Sequence, residues 1–302
     1  MAGTNVQPKQ GPWYTGGLSS VLRPGANQGD VIYVDGAGPD TNDGRTPTTP
    51  VASFLQALSL CTNQRNDTIV VLDYWAAGTE AWPIVVDKEM VSIIGVPGAG
   101  AMWPQINVVG DFAAFSVTAQ GVEICNLAVH GGATHGAIEI GAGVWGIEIH
   151  HCWFGETGTA QDGIRDVAPF DAVYLKVWGC RFGLGLTRDG IRIDHNATRG
   201  LLGAPGLEPN WFRGVPGIGI NVANQFAQGG IFDNRFSLPA DVAGSAITLA
   251  NTVAGVHVDG NSAIFGENQA VGADLNPYLD NAANDVNTWG HNAWGAIFTP
   301  PA

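Results

Sequence analysis

The chain has 302 residues, 45% of them hydrophobic and only 13% charged, with 43 glycines. That is enough apolar material for a large core, in a Gly-rich mixture that disfavours helical bundles and coiled coils. Thirteen Lys and Arg against 27 Asp and Glu leave a net charge of −14, which disfavours binding to phosphate backbones. No apolar run approaches the ~20 residues of a membrane helix. Four scattered cysteines without a C-x-x-C pair exclude a disulfide scaffold or zinc knuckle and are expected to be buried, reduced thiols; no cofactor is expected.

Residues 1–29, rich in Gly, Pro and Gln, are predicted to form an extended arm. The start lacks a signal-peptide pattern, so synthesis and assembly in the cytoplasm are expected, without secretion. Asp35, Asp40, Asn42 and Asp43 cluster around Gly44. They make a weak calcium candidate, but Asx turns are the better reading because the spacing misses the EF-hand frame. Phe54, Leu55, Leu58 and Cys61 share one helical face, predicting an amphipathic helix near 51–61 capped by Thr48, Thr49 or Ser53. Its role would be to cover the open end of a stack of strands.

Downstream of the helix, two ladders of short alternating runs share a period of about 27 residues. One is anchored on Ile138, Ile164, Ile191, Ile218 and Ile247. The other is anchored on Ile124, Ile149, Val177, Leu207, Ile231 and Val258, with less regular coils upstream. A unit this short buries its apolar face only by stacking on its neighbours. The predicted fold is therefore all-β: a single-stranded parallel β-helix of about seven to eight coils over residues 30–264 with a capping helix. Residues 265–302, including Trp289 and Trp294, are predicted to be an irregular capping or contact segment.

In this frame Cys152, Cys180, Asn210, Asn234 and Asn261 form one interior ladder, changing from thiol to amide, and Phe154, Phe182, Phe212 and Phe236 another. Trp153, Arg181, Trp211 and Arg235 then face outward one rung apart. They are a candidate interface, since Trp and Arg dominate contact hot spots and suit cation–π pairing.

Tyr33-Val-Asp-Gly-Ala-Gly-Pro-Asp-Thr-Asn-Asp-Gly44, Thr46-Pro and Phe54-Leu-Gln-Ala-Leu58 resemble the opening segment of pectin-lyase-like right-handed β-helix proteins. With Cys61 and Asp67-Thr-Ile-Val-Val-Leu72 the likeness is closest to β-helix proteins of bacteriophage virions. The resemblance implies a right-handed coil. It covers residues 30–130 by motif and leaves activity open, because that fold hosts lyases, hydrolases and structural parts alike.

The tetrads Asp162-Gly-Ile-Arg165 and Asp189-Gly-Ile-Arg192 should stack. With Arg188, Asp194 and His195 nearby, two carboxylates and a histidine could serve glycoside hydrolysis. Thr187-Arg-Asp-Gly-Ile191 faintly resembles the Asn-Thr-Asp-Gly strand of polygalacturonases. The adjacent Asp pair, the Gly-His-Gly and the Arg-Ile-Lys of that family have no counterparts, and the basic residue a lyase needs is not located by spacing. Asp-Gly also reads as a turn signal, with the Asp and Arg as solvated rungs. His150 and His151, being adjacent, should point apart and share no metal; His130 and His135 should serve surface or turn roles.

The expectation is a non-enzymatic virion subunit, a homotrimeric capsid decoration contacting the major capsid protein or other virion proteins, with no nucleic-acid or membrane partner. The alternative is a polysaccharide-cleaving β-helix using Asp162, Asp189, Asp194, His195 and Arg192.

Overall fold

In a computed structural model, residues 29–73, 80–97, 103–155, 159–167, 172–238, 245–265, 277–281 and 287–296 are described. Within them the apolar alternation becomes short strands whose inward residues are sealed and whose outward ones are wet: Phe115–Val117, Ile191–Ile193 and Ile247–Leu249 each read buried, half-buried, buried. Such strands pair with the equivalent strand one coil away, always in parallel. The result is a right-handed parallel β-helix of about seven turns with three long sheets.

Each coil visits the sheets in one order. A strand of the first sheet, such as Glu148–His150, leads to one of the second, Trp153–Phe154, and then to one of the third, Asp162–Asp166. In the middle coils Ala172–Val173, Ala197–Thr198 and Phe226–Ala227 add a short fourth sheet before the chain returns. Two corners recur with left-handed backbone. One lies between first and second sheets at Asn126, His151, Gly179, Asp233 and Gly260; the other precedes the first sheet at Met90, Gly121, Gly146, Tyr174, Arg199, Gln228 and Gly255. Residues as different as Met, Tyr and Arg adopt this costly conformation at the same corner, so coil geometry rather than local preference dictates it.

The aliphatic ladder of the first sheet runs Ile93, Ile124, Ile149, Val177, Leu202, Ile231, Val258. Leu202 takes the place expected for Leu207, which is 46% exposed. The cause is a longer corner: residues 203–209 separate Leu202 from Asn210, where other coils use two residues. In the third sheet Ile220, not Ile218, pairs with Ile191 and Ile247. In the run Gly217-Ile-Gly-Ile220 the isoleucines are two apart, so alternation alone allows a slip of two; the strand itself begins at Ile220.

The second sheet carries the aromatic column. Phe154, Phe182, Phe212 and Phe236 stack with centroids 5.0, 4.5 and 4.7 Å apart and planes within 17°. Offset stacking of this kind adds about 0.5–1.5 kcal/mol per pair beyond area burial. Beside it the thiol-to-amide ladder follows one rule. Cys152 and Cys180 Sγ donate to the carbonyls of Ile124 and Ile149. Asn210, Asn234, Asn261 and Asn292 Nδ2 donate to those of Val177, Leu202, Ile231 and Val258. The amides also link to one another, Asn210 to Asn234 at 2.9 Å and Asn234 to Asn261 at 2.8 Å. All four cysteines are buried free thiols.

The helix spans Phe54–Leu60, with Ser53 Oγ accepting from Gln56 N. Phe54 meets Phe115 edge-on at 5.5 Å, and the helix packs on Val31–Asp35 and Ile84–Val86. Phe54, Ala57, Leu58 and Cys61 are its buried face, whereas Leu55 points outward. At the other end the coils do not stop at 264: Tyr278–Asp280, Thr288–Trp289 and Ala293–Ala296 extend all three sheets, and Asn292 extends the amide ladder. The arm expected over residues 1–29 lies almost wholly outside the described residues.

Candidate functional site

The two Asp-Gly-Ile-Arg tetrads lie on the third sheet, where Ile164 pairs with Ile191 and Arg165 with Arg192. Asp162-Gly163 is strand, not turn. Gly163 lies within its strand and Gly190 and Gly219 directly before theirs, and a side chain at these positions would run into Phe182, Phe212 and Phe236 respectively. The repeated glycine thus reports the aromatic column.

Around it forms a closed network of acids and arginines. Asp162 is fully buried. Its Oδ1 accepts from Arg188 Nε at 2.9 Å and Asp189 N at 3.1 Å, and its Oδ2 from Arg188 Nη2. Asp189 Oδ1 accepts from Ile218 N at 2.8 Å; its Oδ2 accepts from Arg192 Nη1 and Asn221 Nδ2, both at 2.9 Å. Asp194, more open, has both oxygens within 2.8 Å of Arg192 Nε. Burial works against the charge on Arg192, but Asp194 and Asp189 outweigh it and hold the guanidinium protonated. Arg165 turns to Glu139 at 2.6 Å.

Of the five residues singled out for catalysis, Asp162, Asp189, Arg192 and Asp194 belong to this network. His195 does not join it directly: its backbone N–H and that of Asp194 cap Asp166 instead. Burial pushes the Asp166 carboxyl above its ordinary value, against the pull of those two N–H groups. Arg165, Arg188 and Asn221 are the groups whose partners spacing did not identify. Their place follows only from the pairing register, which sets Arg165 beside Glu139 and Asn221 beside Arg192.

On the second sheet, Trp153, Arg181, Trp211 and Arg235 line up in register as expected. Trp211 is 49% exposed, and the Arg235 guanidinium lies 5.2 Å from its ring centroid. Arg213 adds a further exposed cation two residues beyond Trp211 on the same strand. This places aromatic surface and positive charge together on a chain of net charge −14.

The residues weighed for calcium spend their oxygens locally. Asp35 accepts from Ala37 N, Asp43 from Arg45 N and Thr49 Oγ1, and Asp40 from Ala52 N, Ser53 N and Ser53 Oγ. Asn42 donates to Pro50 O. Among the described residues no three of these carboxylates converge. Of the histidines expected in surface or turn roles, His130 is instead buried at the end of a strand, whereas His135 stands partly exposed at a bend with its Nδ1 3.0 Å from Glu139. His150 and His151 do not point apart: their Nδ1 atoms are 2.9 Å from each other. His151 has φ +52, and that left-handed corner breaks the alternation a strand would impose.

No protein-family model matches this chain, and no curated protein does. Among solved structures it is similar to the pectate lyase Pel9A, with 14% identity over 91% of this chain and 82% of that one and a TM-score of 0.32. A likeness so distant transfers no chemistry, and the β-helix assignment rests on the chain's own strand register.

Chemically, the third-sheet network can hold coils together. A general acid or base needs an oxygen able to exchange a proton with substrate. Those of Asp162 and Asp189 are buried, and each already accepts from a guanidinium, amide or backbone donor.

Proposed function

We propose that this chain is a non-enzymatic structural subunit of a bacteriophage particle, a decoration or accessory protein that coats or stabilises the head. The observation that carries the non-enzymatic reading is the burial of Asp162 and Asp189, the two carboxylates best suited by sequence to catalysis, with every oxygen already accepting from a donor of the protein itself. Tightly bonded coils make a stiff rod, and a stiff rod with one aromatic, cationic face is suited to docking.

The docking face is the second-sheet stripe of Trp153, Arg181, Trp211 and Arg235. Its cations favour an acidic partner surface. That partner is the major capsid protein or a neighbouring copy of this acidic chain in a homotrimer. The viral assignment draws on the resemblance of the opening segment to virion β-helices. The competing reading, a polysaccharide hydrolase or lyase, draws on Asp189, Arg192 and Asp194 standing together near the outer face.

Electron microscopy of purified particles tests the proposal. The chain should occupy fixed lattice positions with its second sheet against the shell, and the double variant Trp211→Ala, Arg235→Ala should leave those positions empty. Particles that never carry the chain would overturn the reading.

A further inference from the structure

On the outer face of the first sheet, three different donors from two adjacent coils come together. Glu123 and Cys125 are two apart on one strand, and His150 pairs directly with Cys125 on the next. One ligand atom from each lies within 4.8 Å of the others. We propose that Glu123, Cys125 and His150 bind a borderline-soft divalent cation of the zinc class.

Two observations besides proximity point to a ligand. The first is the Cys125 thiol. Cys61, Cys152 and Cys180 each donate Sγ–H to a backbone carbonyl. Cys125 is fully buried, and among the described residues its Sγ makes no hydrogen bond. It is a buried sulfur aimed at a histidine and a carboxylate.

The second is a shortage of N–H groups. His150 Nε2 lies 3.0 Å from Glu123 Oε1, His150 Nδ1 lies 2.9 Å from His151 Nδ1, and His151 Nε2 lies 3.1 Å from Glu208 Oε2. Three contacts thus run through two imidazoles, but two neutral rings carry only two N–H groups. With both rings neutral, one contact holds a lone pair against an oxygen or nitrogen; either an extra proton on one ring or a metal ion in that contact relieves it. A metal ion between Glu123 and His150 removes the conflict. His150 Nδ1–H then donates to His151 Nδ1, and His151 Nε2–H donates to Glu208. That is the outer-shell arrangement by which metal-bound histidines are held in one tautomer.

The donor set matches the ion. Thiolate, imidazole and carboxylate are the ligands zinc takes, at about 2.0–2.3 Å, which sets tetrahedral donors about 3.3–3.7 Å apart. Closing the trio therefore needs shifts on the order of 1 Å, within reach of side-chain rotation. Binding releases the thiol proton to solvent. The ion's two positive charges are then balanced by the Glu123 carboxylate and the Cys125 thiolate, leaving a neutral buried site. Glu123, whose side chain is 20% exposed, provides access. Stacking of Trp178 on His150 at 4.5 Å fixes the ring on its other side.

The test is titration of the full chain, stripped with chelator, with Co2+ as a spectroscopic stand-in and Zn2+ as competitor. One equivalent of Co2+ should give a thiolate-to-metal charge-transfer band that Zn2+ abolishes. The band should be absent in Cys125→Ser and retained in Cys152→Ser. Glu208→Gln, on an outlying loop, keeps all three ligands and should weaken binding about 10–100-fold. No band in the parent protein, a band that survives Cys125→Ser, or Glu208→Gln binding as tightly as the parent would each overturn the proposal.

Discussion

A methyl group on Gly190 would lie 2.6 Å from the ring of Phe212 and 2.6 Å from the carbonyl oxygen of Gly219. The aromatic column and the repeated Asp-Gly tetrads are therefore one device: the glycine clears the space that the stacked ring occupies. Gly190→Ala must displace the ring or part the coils, and overpacking of this sort costs about 1–3 kcal/mol. Denaturant unfolding should show a lowered midpoint without loss of the parallel-sheet signature.

The interior ladder makes a graded prediction. Asn234 links the Leu202 carbonyl, Asn210 and Asn261. Asn234→Ala strands those buried groups at about 1–3 kcal/mol. Asn234→Cys should cost less, because two rungs earlier Cys180 does part of the same job, donating to the Ile149 carbonyl. Thermal midpoints of the two variants, in the order parent, Cys, Ala, check this.

In the third-sheet network, removing a charge partner should hurt more than removing an exposed cation. Arg188→Ala leaves the buried Asp162 without its guanidinium, a change worth about 3–5 kcal/mol for a broken buried pair. Arg235→Ala removes only an exposed contact to Trp211, within about 0.5 kcal/mol. Equal destabilisation of the two variants in urea unfolding would count against this division of roles.

Acid should weaken the hold of Asp67 on the capped end. Burial pushes the Asp67 carboxyl upward, but Arg65 and the N–H groups of Thr62 and Asp30 outweigh it, so its pKa lies below the ordinary value. A folded value below the unfolded one stabilises the fold above the ordinary carboxylate range. That contribution is lost as pH falls through the folded value. Asp67→Asn should therefore be less stable near neutrality and show a shallower loss of thermal midpoint into acid than the parent.

The coil stack is legible in the sequence because stacking repeats its signal. Ile124, Ile149, Val177, Ile231 and Val258, the phenylalanines and the Cys-to-Asn ladder all stand in the expected register. Misplacements fall where one coil departs from the period. The long corner before Asn210 hides Leu202, and a doubled Gly-Ile hides Ile220. Composition suggests a turn at Asp162-Gly163 because it cannot report a ring lying across a strand. The acids and arginines are recognisable as types but not as partners, since pairing across coils depends on a register that a single strand does not encode. The meeting of His150 and His151 depends on one left-handed residue, which a reading based on strand alternation misses.

If the acids of the third sheet bind coils to each other and act on no substrate, the parent protein should leave every acidic polysaccharide in a panel intact. The decisive measurement is release of reducing or unsaturated ends from that panel, and none is expected from any member. Cleavage that Asp189→Asn abolishes while the variant still folds would contradict a purely structural role.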